Sequence, residues 1–263
     1  MTLEKKSLEH YKRIAENYGD KSTSTIKDQY IRNSEVNFII GEIDRFRELT
    51  RKTPSILDVG CGNGYVLSVL SQKFPDSEFF GVEFTKELFD IAKTRDLPNV
   101  TFIHGDCREK NFFNKKVDII ITERVLINIF NPNERIIALK NFIELLNEKG
   151  RYILIESFVE SWEKLNSARK EMLLDLIPQS PQNRYIDEQL ITQMSEMGFK
   201  EISGVFPPNY LSTYFYLTRV FHHLFRPKGG KKEGSEFVKF FNEAIGPSKG
   251  NYSPIQFRIF ERN

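Results

Sequence analysis

Short apolar, β-branched runs alternate with amphipathic stretches over the middle of the chain. The runs predict strands at residues 55–60, 78–84, 100–106, 117–123 and 151–157. Between them, the spacing of apolar residues predicts helices over 65–74, 85–95 and 133–150, the last ending at Gly150. Strands that are apolar throughout and separated by helices are typical of a parallel sheet covered on both faces. The pattern therefore predicts an α/β fold with its ligand at the carboxyl ends of the strands.

Three glycines follow the first predicted strand within five positions, at Gly60, Gly62 and Gly64. A dinucleotide fingerprint needs glycine at the first, third and sixth positions, whereas the sixth position here is Tyr65. The lysine of a phosphate-binding loop is also missing from the residues after this loop. Glycine permits left-handed turns and close approach of backbone to a ligand. The loop thus predicts either a tight structural turn or contact with a ligand that lacks a pyrophosphate.

Acidic residues stand at the ends of the first four predicted strands, at Asp58, Glu83, Asp106 and Glu123. Glu83 can accept two hydrogen bonds from a ribose diol, and Phe84 beside it can cover one face of an adenine. Asp106 can accept a hydrogen bond from an adenine amine. Glu83 and Asp106 also have structural explanations. An acid such as Glu83 is favoured at a helix N-terminus, and an aspartate such as Asp106 is common in turns.

The segments ILDVGCGNG, GVEFTKEL, IHGDCRE, VDIIITERVLINI and LNEKGRYILIES together resemble the class I S-adenosylmethionine-dependent methyltransferases. The resemblance covers about residues 54–157. It implies a Rossmann-like fold with a seven-stranded, mostly parallel sheet, an antiparallel last strand and helical lid insertions. It implies S-adenosyl-L-methionine as cofactor and S-adenosyl-L-homocysteine as product. Residues 1–50 would form a helical cap over the cofactor site, and residues 51–263 the methyltransferase domain.

The resemblance also implies roles for the residues at the strand ends. The implied cofactor-binding residues are Arg32, Asp58, Gly60, Cys61, Gly62, Glu83, Phe84, Asp106, Cys107, Glu123 and Arg124. Asp58 would orient the methionine end of the cofactor, and Glu83 would hold the ribose hydroxyls. Asp106 and Cys107 would contact the adenine, and Glu123 and Arg124 would line the floor near the methyl group.

The first fifty residues carry a weaker likeness to the leading helix of small-molecule members of this class. Arg32 would then pair with the methionine carboxylate, and Tyr11, Tyr18 and Tyr30 would border the site. A solvated arginine and core tyrosines explain the same residues equally well.

The methyl acceptor is less constrained, because the cofactor carries the activation and the protein mainly positions the acceptor. Segments 158–190 and 207–253 are predicted to form lids over the methyl group. Within or beside them, the candidate bases are Glu156 and His222, and the candidate substrate-binding residues are Asn183, Tyr185 and Tyr214. Each candidate also has a structural explanation: packing for the tyrosines, a loop position for the asparagine, and a place at the core edge for the histidine.

The segments ERVLIN, PQNRYID and STYFYLTRV resemble methyltransferases of bacterial surface-polysaccharide and nucleotide-sugar pathways. That likeness favours a hydroxyl or amine of a sugar or nucleotide-sugar precursor as the acceptor. One alternative is RNA or protein as acceptor, which the basic run at 226–234 would suit, although a net charge of +2 argues against a nucleic-acid surface. The other alternative is a scaffold that binds the cofactor without chemistry.

Bulk properties exclude several other classes. A length of 263 residues suits one large domain, and two cysteines argue against a disulfide framework. The polar N-terminus lacks a signal peptide and no apolar run reaches the length of a membrane span, so a cytoplasmic location is predicted. The adjacent His222 and His223 point to different faces of a helix, so no metal site is predicted. The sequence does not predict an oligomeric state.

Overall fold

The computed structural model describes residues 3–22, 26–225, 235–244 and 248–263. Its helices are α1 (Leu3–Tyr18), α2 (Gln29–Thr50), α3 (Tyr65–Lys73), α4 (Lys86–Lys93), α5 (Pro132–Leu145), α6 (Val159–Glu171), α7 (Glu188–Glu196), α8 (Ser212–Tyr216), α9 (His222–Phe225) and α10 (Glu236–Ala244). Its strands are β1 (Ser55–Val59), β2 (Glu78–Glu83), β3 (Val100–His104), β4 (Val117–Glu123), β5 (Leu146–Ser157), β6 (Phe199–Ile202) and β7 (Ile255–Arg262). A 3-10 turn at Leu126–Asn128 follows β4, and a π-helical turn at Leu217–Phe221 joins α8 to α9.

The seven strands form one sheet in the order β3-β2-β1-β4-β5-β7-β6. Strands β1 to β5 pair in parallel, whereas β7 runs antiparallel to both of its neighbours, β5 and β6. This arrangement confirms the predicted seven-stranded, mostly parallel α/β sheet with an antiparallel last strand. The strand order reverses at β1, so a crevice forms where β1 and β4 end side by side.

Both faces of the sheet are buried, which explains why the strands are apolar at successive positions. On one face, strand residues pack against α2 and α3: Ile56, Phe79, Ile119, Ile121 and Ile153 against Phe38, Ile39, Ile43, Leu67 and Leu70. On the other face, strand residues pack against α5 and α7: Leu57, Phe80, Ile120, Tyr152 and Leu154 against Leu139, Phe142, Leu190 and Met194. Each fully buried leucine or isoleucine contributes about 1.5–3 kcal/mol. These two layers fix the strand ends that carry the site.

The prediction that the fifth helix continues to Gly150 is wrong, because α5 ends at Leu145 and β5 begins at Leu146. Leu146 is fully buried and pairs with Val117 of β4, before a register shift in that pairing. Lys149 takes a left-handed φ of 60°, and a Cβ on Gly150 would lie 2.8 Å from the carbonyl oxygen of Asn147. Strand pairing therefore overrides the helical pattern, and the glycine serves a tight turn within β5.

The predicted helical segment 1–50 consists of two helices joined by a connection, and α2 packs on the sheet as part of the core. The predicted lid 158–190 contains α6, and the predicted lid 207–253 contains α8, α9 and α10. The division into cap, domain and lids stays a prediction. The basic run at 226–234 lies outside the described residues. Among the described residues, no helix combines the length and apolarity that a membrane crossing needs.

Candidate active site

A cavity of about 390 Å³ opens at the carboxyl ends of β1 to β4. All eleven residues predicted to bind the cofactor line it: Arg32, Asp58, Gly60, Cys61, Gly62, Glu83, Phe84, Asp106, Cys107, Glu123 and Arg124. Residues 3–22, which we call the roof, add Leu8 and Tyr11 to the lining. Of the three tyrosines predicted to border the site, Tyr11 lies on the cavity, whereas Tyr18 and Tyr30 do not.

The glycine loop is folded in a way that side chains would prevent. Gly60 and Gly62 have φ values of 75° and 59°, in the left-handed region that favours glycine. A Cβ on Gly60 would lie 2.5 Å from Cγ2 of Val125, whereas a Cβ on Gly62 would meet no atom within 4 Å. The amides of Gly60 and Cys61 both donate to the carbonyl of Val82, at 2.7 and 3.1 Å. The loop thus offers bare backbone to the cavity.

Glu83 joins the glycine loop to the start of α4. Its carboxylate accepts one hydrogen bond from the Gly62 amide at 2.9 Å and another from the Thr85 amide at 2.7 Å. Burial raises its pKa, and these two backbone hydrogen bonds oppose that change. Thr85 stands at the N-cap position of α4, but its hydroxyl makes no capping hydrogen bond. The ribose role of Glu83 stays a prediction, and its oxygens also organise the loop.

Asp58 is a buried acid, with 2% of its surface exposed, and no described residue donates a hydrogen bond to its side chain. Its pKa lies well above the usual range because of burial first, and then the negative charges of Glu123 and Glu83. A buried carboxylate without a donor requires a proton or a cationic partner. This chemistry suits a ligand that brings an ammonium or sulfonium group into the cavity.

Two arginines and two glutamates form a charged cluster at the ends of α2 and β4, consisting of Arg32, Glu35, Glu123 and Arg124. Nη1 of Arg32 lies 2.7 Å from Oε2 of Glu123 and 3.3 Å from Oε2 of Glu35. Arg124 forms an ion pair with Glu35, and its Nη2 lies 3.8 Å from Glu123. Sequence reasoning missed Glu35, although its i, i+3 spacing from Arg32 on a helix is a usable signal.

Asp106 is engaged by a neighbouring arginine. Nη2 and Nε of Arg108 lie 2.7 and 3.0 Å from Oδ2 of Asp106, and Nη1 lies 2.6 Å from Glu134. The same guanidinium lies 5.7 Å from the ring centre of the half-exposed Phe84. Burial raises the pKa of Cys107 to about 12, so its thiol stays protonated. The adenine contacts of these residues stay predictions.

Two asparagines that the sequence did not single out organise the walls. Asn128, in the turn after β4, donates to the Tyr11 hydroxyl at 2.9 Å and to the Arg124 carbonyl. Asn63 donates to the carbonyls of Gly19 and Lys21, both at 3.0 Å, so it ties the roof to the glycine loop. Neither residue carries a sequence signal, because each contact depends on how the roof packs.

The two candidate bases do not lie on the cavity. Glu156 is fully buried, and its carboxylate accepts hydrogen bonds from the amides of Val125, Leu126 and Ile127 at 2.8, 2.9 and 3.3 Å. Burial raises its pKa to about 7. His222 stacks on Phe237, with ring centres 5.6 Å apart. Glu156 therefore shapes the turn beneath the site, and a base role for either residue stays a prediction that this geometry does not favour.

None of the three candidate substrate residues lines the cavity. The Tyr214 hydroxyl donates to the Asp28 carboxylate at 2.8 Å, and its ring stacks on Tyr30 at 4.2 Å. Tyr185 meets Trp162 edge to face at 6.3 Å. Asn183 uses its backbone amide to bond the Ser180 carbonyl. In the described parts of the chain, no group of three or more His, Cys, Asp or Glu side chains is placed to hold a metal ion.

The strand order, the glycine loop and the strand-end acids around one cavity form the Rossmann-like fold of class I S-adenosylmethionine-dependent methyltransferases, and the site fits S-adenosylmethionine as cofactor. Residues 56–150 match the family model described as a methyltransferase domain. The malonyl-[acyl-carrier protein] O-methyltransferase of Bacillus cereus is 30% identical over 141 residues, which cover 52% of this chain and 51% of that protein. The match therefore spans about half the length of that relative.

Two further similarities cover more of the chain. The carboxy-S-adenosyl-L-methionine synthase of Campylobacter jejuni is 23% identical over 216 residues, which cover 71% of this chain and 88% of that protein. The magnesium protoporphyrin IX methyltransferase of Synechocystis PCC 6803, solved with bound SAH, superposes with a TM-score of 0.58 at 14% identity. That superposition covers 97% of this chain and 94% of the solved chain, and it shows the common fold.

Proposed function

We propose that this protein transfers a methyl group from S-adenosylmethionine to a small-molecule acceptor. The observation that carries the proposal is the convergence of all eleven predicted cofactor residues on one cavity. Asp58 would hold the ammonium of the methionine part, and Arg32 would hold its carboxylate. Glu83 would bind the ribose hydroxyls while its other lone pairs keep the glycine loop in place.

The bound cofactor supplies an activated methyl group on a sulfonium, so the protein has mainly to bind, orient and exclude water. The glycine loop gives close approach of backbone, and the roof covers the cavity with Leu8 and Tyr11. A covered cavity of this kind suits a small acceptor better than a polymer surface. These features support transfer within an enclosed site.

We place the acceptor among small molecules with a hydroxyl or amine, with a sugar or nucleotide-sugar precursor as the first class to test. The support for the sugar is the likeness of three sequence segments, which is independent of the cavity. By their names, one relative methylates a malonyl-[acyl-carrier protein] and another makes carboxy-S-adenosyl-L-methionine, so they leave the choice of acceptor open.

The test is transfer of a labelled methyl group from S-adenosylmethionine into an extract of the source cells, fractionated into RNA, protein and small-molecule pools. Asp58→Asn should abolish labelling, and the exposed acid Asp90 offers the matched control Asp90→Asn. Label in the small-molecule pool supports the proposal. Label only in RNA or protein replaces the acceptor with that polymer, and binding of cofactor without any label supports the non-catalytic scaffold.

A further inference from the structure

We infer that Glu35 is a positioning residue that sets the charge of the cavity arginines, so that a carboxylate-bearing ligand binds together with one proton. The ligand meant is the cofactor, so the inference rests on the proposed function. Glu35 lies behind the cavity wall and acts through Arg32 and Arg124, whose side chains line the cavity.

The geometry makes Glu35 the centre of the charged cluster. Its side chain is fully buried, with one oxygen toward Arg124 and the other 3.3 Å from Nη1 of Arg32. The same Nη1 also lies 2.7 Å from Glu123. Two carboxylates therefore already share two guanidinium groups before any ligand arrives.

A ligand carboxylate at these arginines would be a third negative group on two cations. Like charges in a buried site disfavour full ionisation, and the group that gives way is the one easiest to protonate. Glu35 is fully enclosed, whereas Glu123 reaches the cavity. Protonation of Glu35 leaves the cluster with one net positive charge, which complements one ligand carboxylate.

The groups that face Glu35 are Arg32 on its own helix, Glu123 and Arg124 at the end of β4, and Tyr210 before α8. Burial raises the pKa of Glu35 to about 7, the two arginines oppose that change, and Glu123 reinforces it. The Tyr210 hydroxyl donates to the Ser34 carbonyl and stays neutral, since burial raises its pKa. Proton uptake at Glu35 is therefore accessible near neutral pH.

The charge of Glu35 determines how the affinity for the ligand changes with pH. Below a pH of about 7 Glu35 carries its proton, so Glu123 is the one negative group of the cluster and the two arginines attract a ligand carboxylate; above it, the ionised Glu35 competes with the ligand. Affinity for such a ligand should fall as pH rises through this value. Glu35→Gln fixes the neutral state, so the variant should keep its affinity at high pH.

The experiment measures the Kd of S-adenosylhomocysteine by calorimetry in wild type, Glu35→Gln and Glu42→Gln. Glu42 is the matched control, because it is a fully buried glutamate on the same helix with a burial-raised pKa, yet its ion-pair partner is Arg151, away from the cavity. If binding raises the pKa of Glu35 by about one unit, the wild-type to Glu35→Gln ratio of Kd should rise about sevenfold between pH of about 6 and about 8.5. Glu42→Gln should follow wild type.

The ratio of Kd values removes the contribution of Asp58, which both proteins share. Parallel pH profiles in wild type and Glu35→Gln, with binding intact, would overturn the inference and leave the proposed function standing. Absence of binding by wild type at every pH would overturn the proposed function and the inference with it. If Glu35→Gln does not fold, calorimetry of wild type in buffers of different ionisation enthalpy decides, since binding without proton uptake would contradict the inference.

Discussion

The cofactor cavity and the described parts of the predicted lid segments 158–190 and 207–253 are held in place differently. In the cavity, the acids Asp58 and Glu83 stand on strands whose pairing register fixes them. In the predicted lid segments, position depends on hydrogen bonds between side chains far apart in the sequence, as between Tyr214 and Asp28 and between Gln256 and Ser161. A site built on strand ends is set by backbone pairing, whereas a site built on helices and loops is set by individual tertiary contacts.

The largest expected effect tests the backbone side of this comparison. Gly60→Ala should abolish S-adenosylhomocysteine binding and lower the free energy of unfolding by about 2–4 kcal/mol, because the new Cβ would meet Val125 at 2.5 Å in a left-handed residue. Calorimetry and denaturant unfolding measure the two quantities. Gly41→Ala is the control: its Cβ would meet Val205 at an ordinary 3.5 Å within α2, and stability should change by less than about 1 kcal/mol. Unchanged binding of S-adenosylhomocysteine by Gly60→Ala would contradict the predicted contact between the glycine loop and the cofactor.

The next effect concerns the turn after β4, whose backbone amides donate to Glu156. Glu156→Gln leaves one oxygen for three backbone donors and should cost about 1–3 kcal/mol. The pKa of Glu156 is raised from an ordinary 4.5 to about 7 in the folded protein, so its stabilising contribution is complete below about 4.5 and is lost as pH rises to about 7. The gap in unfolding free energy between wild type and variant should therefore narrow as pH rises through that window. A gap that widens would show that the folded protein prefers the ionised carboxylate.

A smaller effect tests the contacts of the predicted lid segments. Tyr214→Phe removes the hydrogen bonds from a buried hydroxyl to Asp28 and should lower the free energy of unfolding by about 1–2 kcal/mol. Affinity for S-adenosylhomocysteine should stay within about twofold, because Tyr214 does not line the cavity. Tyr216→Phe is the control, since Tyr216 is half-buried against Tyr252 and should change stability by less than about 0.5 kcal/mol. A lower affinity of Tyr214→Phe for S-adenosylhomocysteine would show that the cavity and the predicted lid segments are energetically coupled.

The smallest expected effect is on the cofactor affinity of a histidine variant. His222→Gln should leave the Kd of S-adenosylhomocysteine within about twofold, because the ring packs against Phe237 and lies off the cavity. Calorimetry at constant pH measures the Kd of S-adenosylhomocysteine for the variant and for wild type. A change of about tenfold or more would mean that α9 reaches the cofactor in solution.

The sequence anticipates the cavity well for a physical reason. A buried strand needs a continuous apolar run, so its end is visible, and β4 matches the prediction residue for residue. An acid or glycine placed at such an end then has little freedom of position. A solvated arginine would explain Arg32 equally well from the sequence, yet α2 carries it to the cavity beside Glu123.

The remaining features depend on partners that are distant in the chain. Glu35 becomes a site residue only when α2 packs beside the end of β4, and Asn128 only when the roof brings Tyr11 within 2.9 Å. Its place near the end of an apolar strand makes Glu156 a candidate base, but three amides of the turn after β4 donate to its carboxylate. The helix predicted through Gly150 failed for the same kind of reason, since pairing with β4 outweighed a local pattern.

The tie between the roof and the glycine loop bears on how fast the protein can turn over. The Asn63 side chain donates hydrogen bonds to the carbonyls of Gly19 and Lys21. Arg95 donates to the carbonyls of Asp20 and Asn63 at 2.7 and 2.6 Å. These four hydrogen bonds hold the roof against the glycine loop at the edge of the cavity. If the product leaves on this side of the cavity, these hydrogen bonds must open first, and the rate of that opening would then limit the turnover of the enzyme.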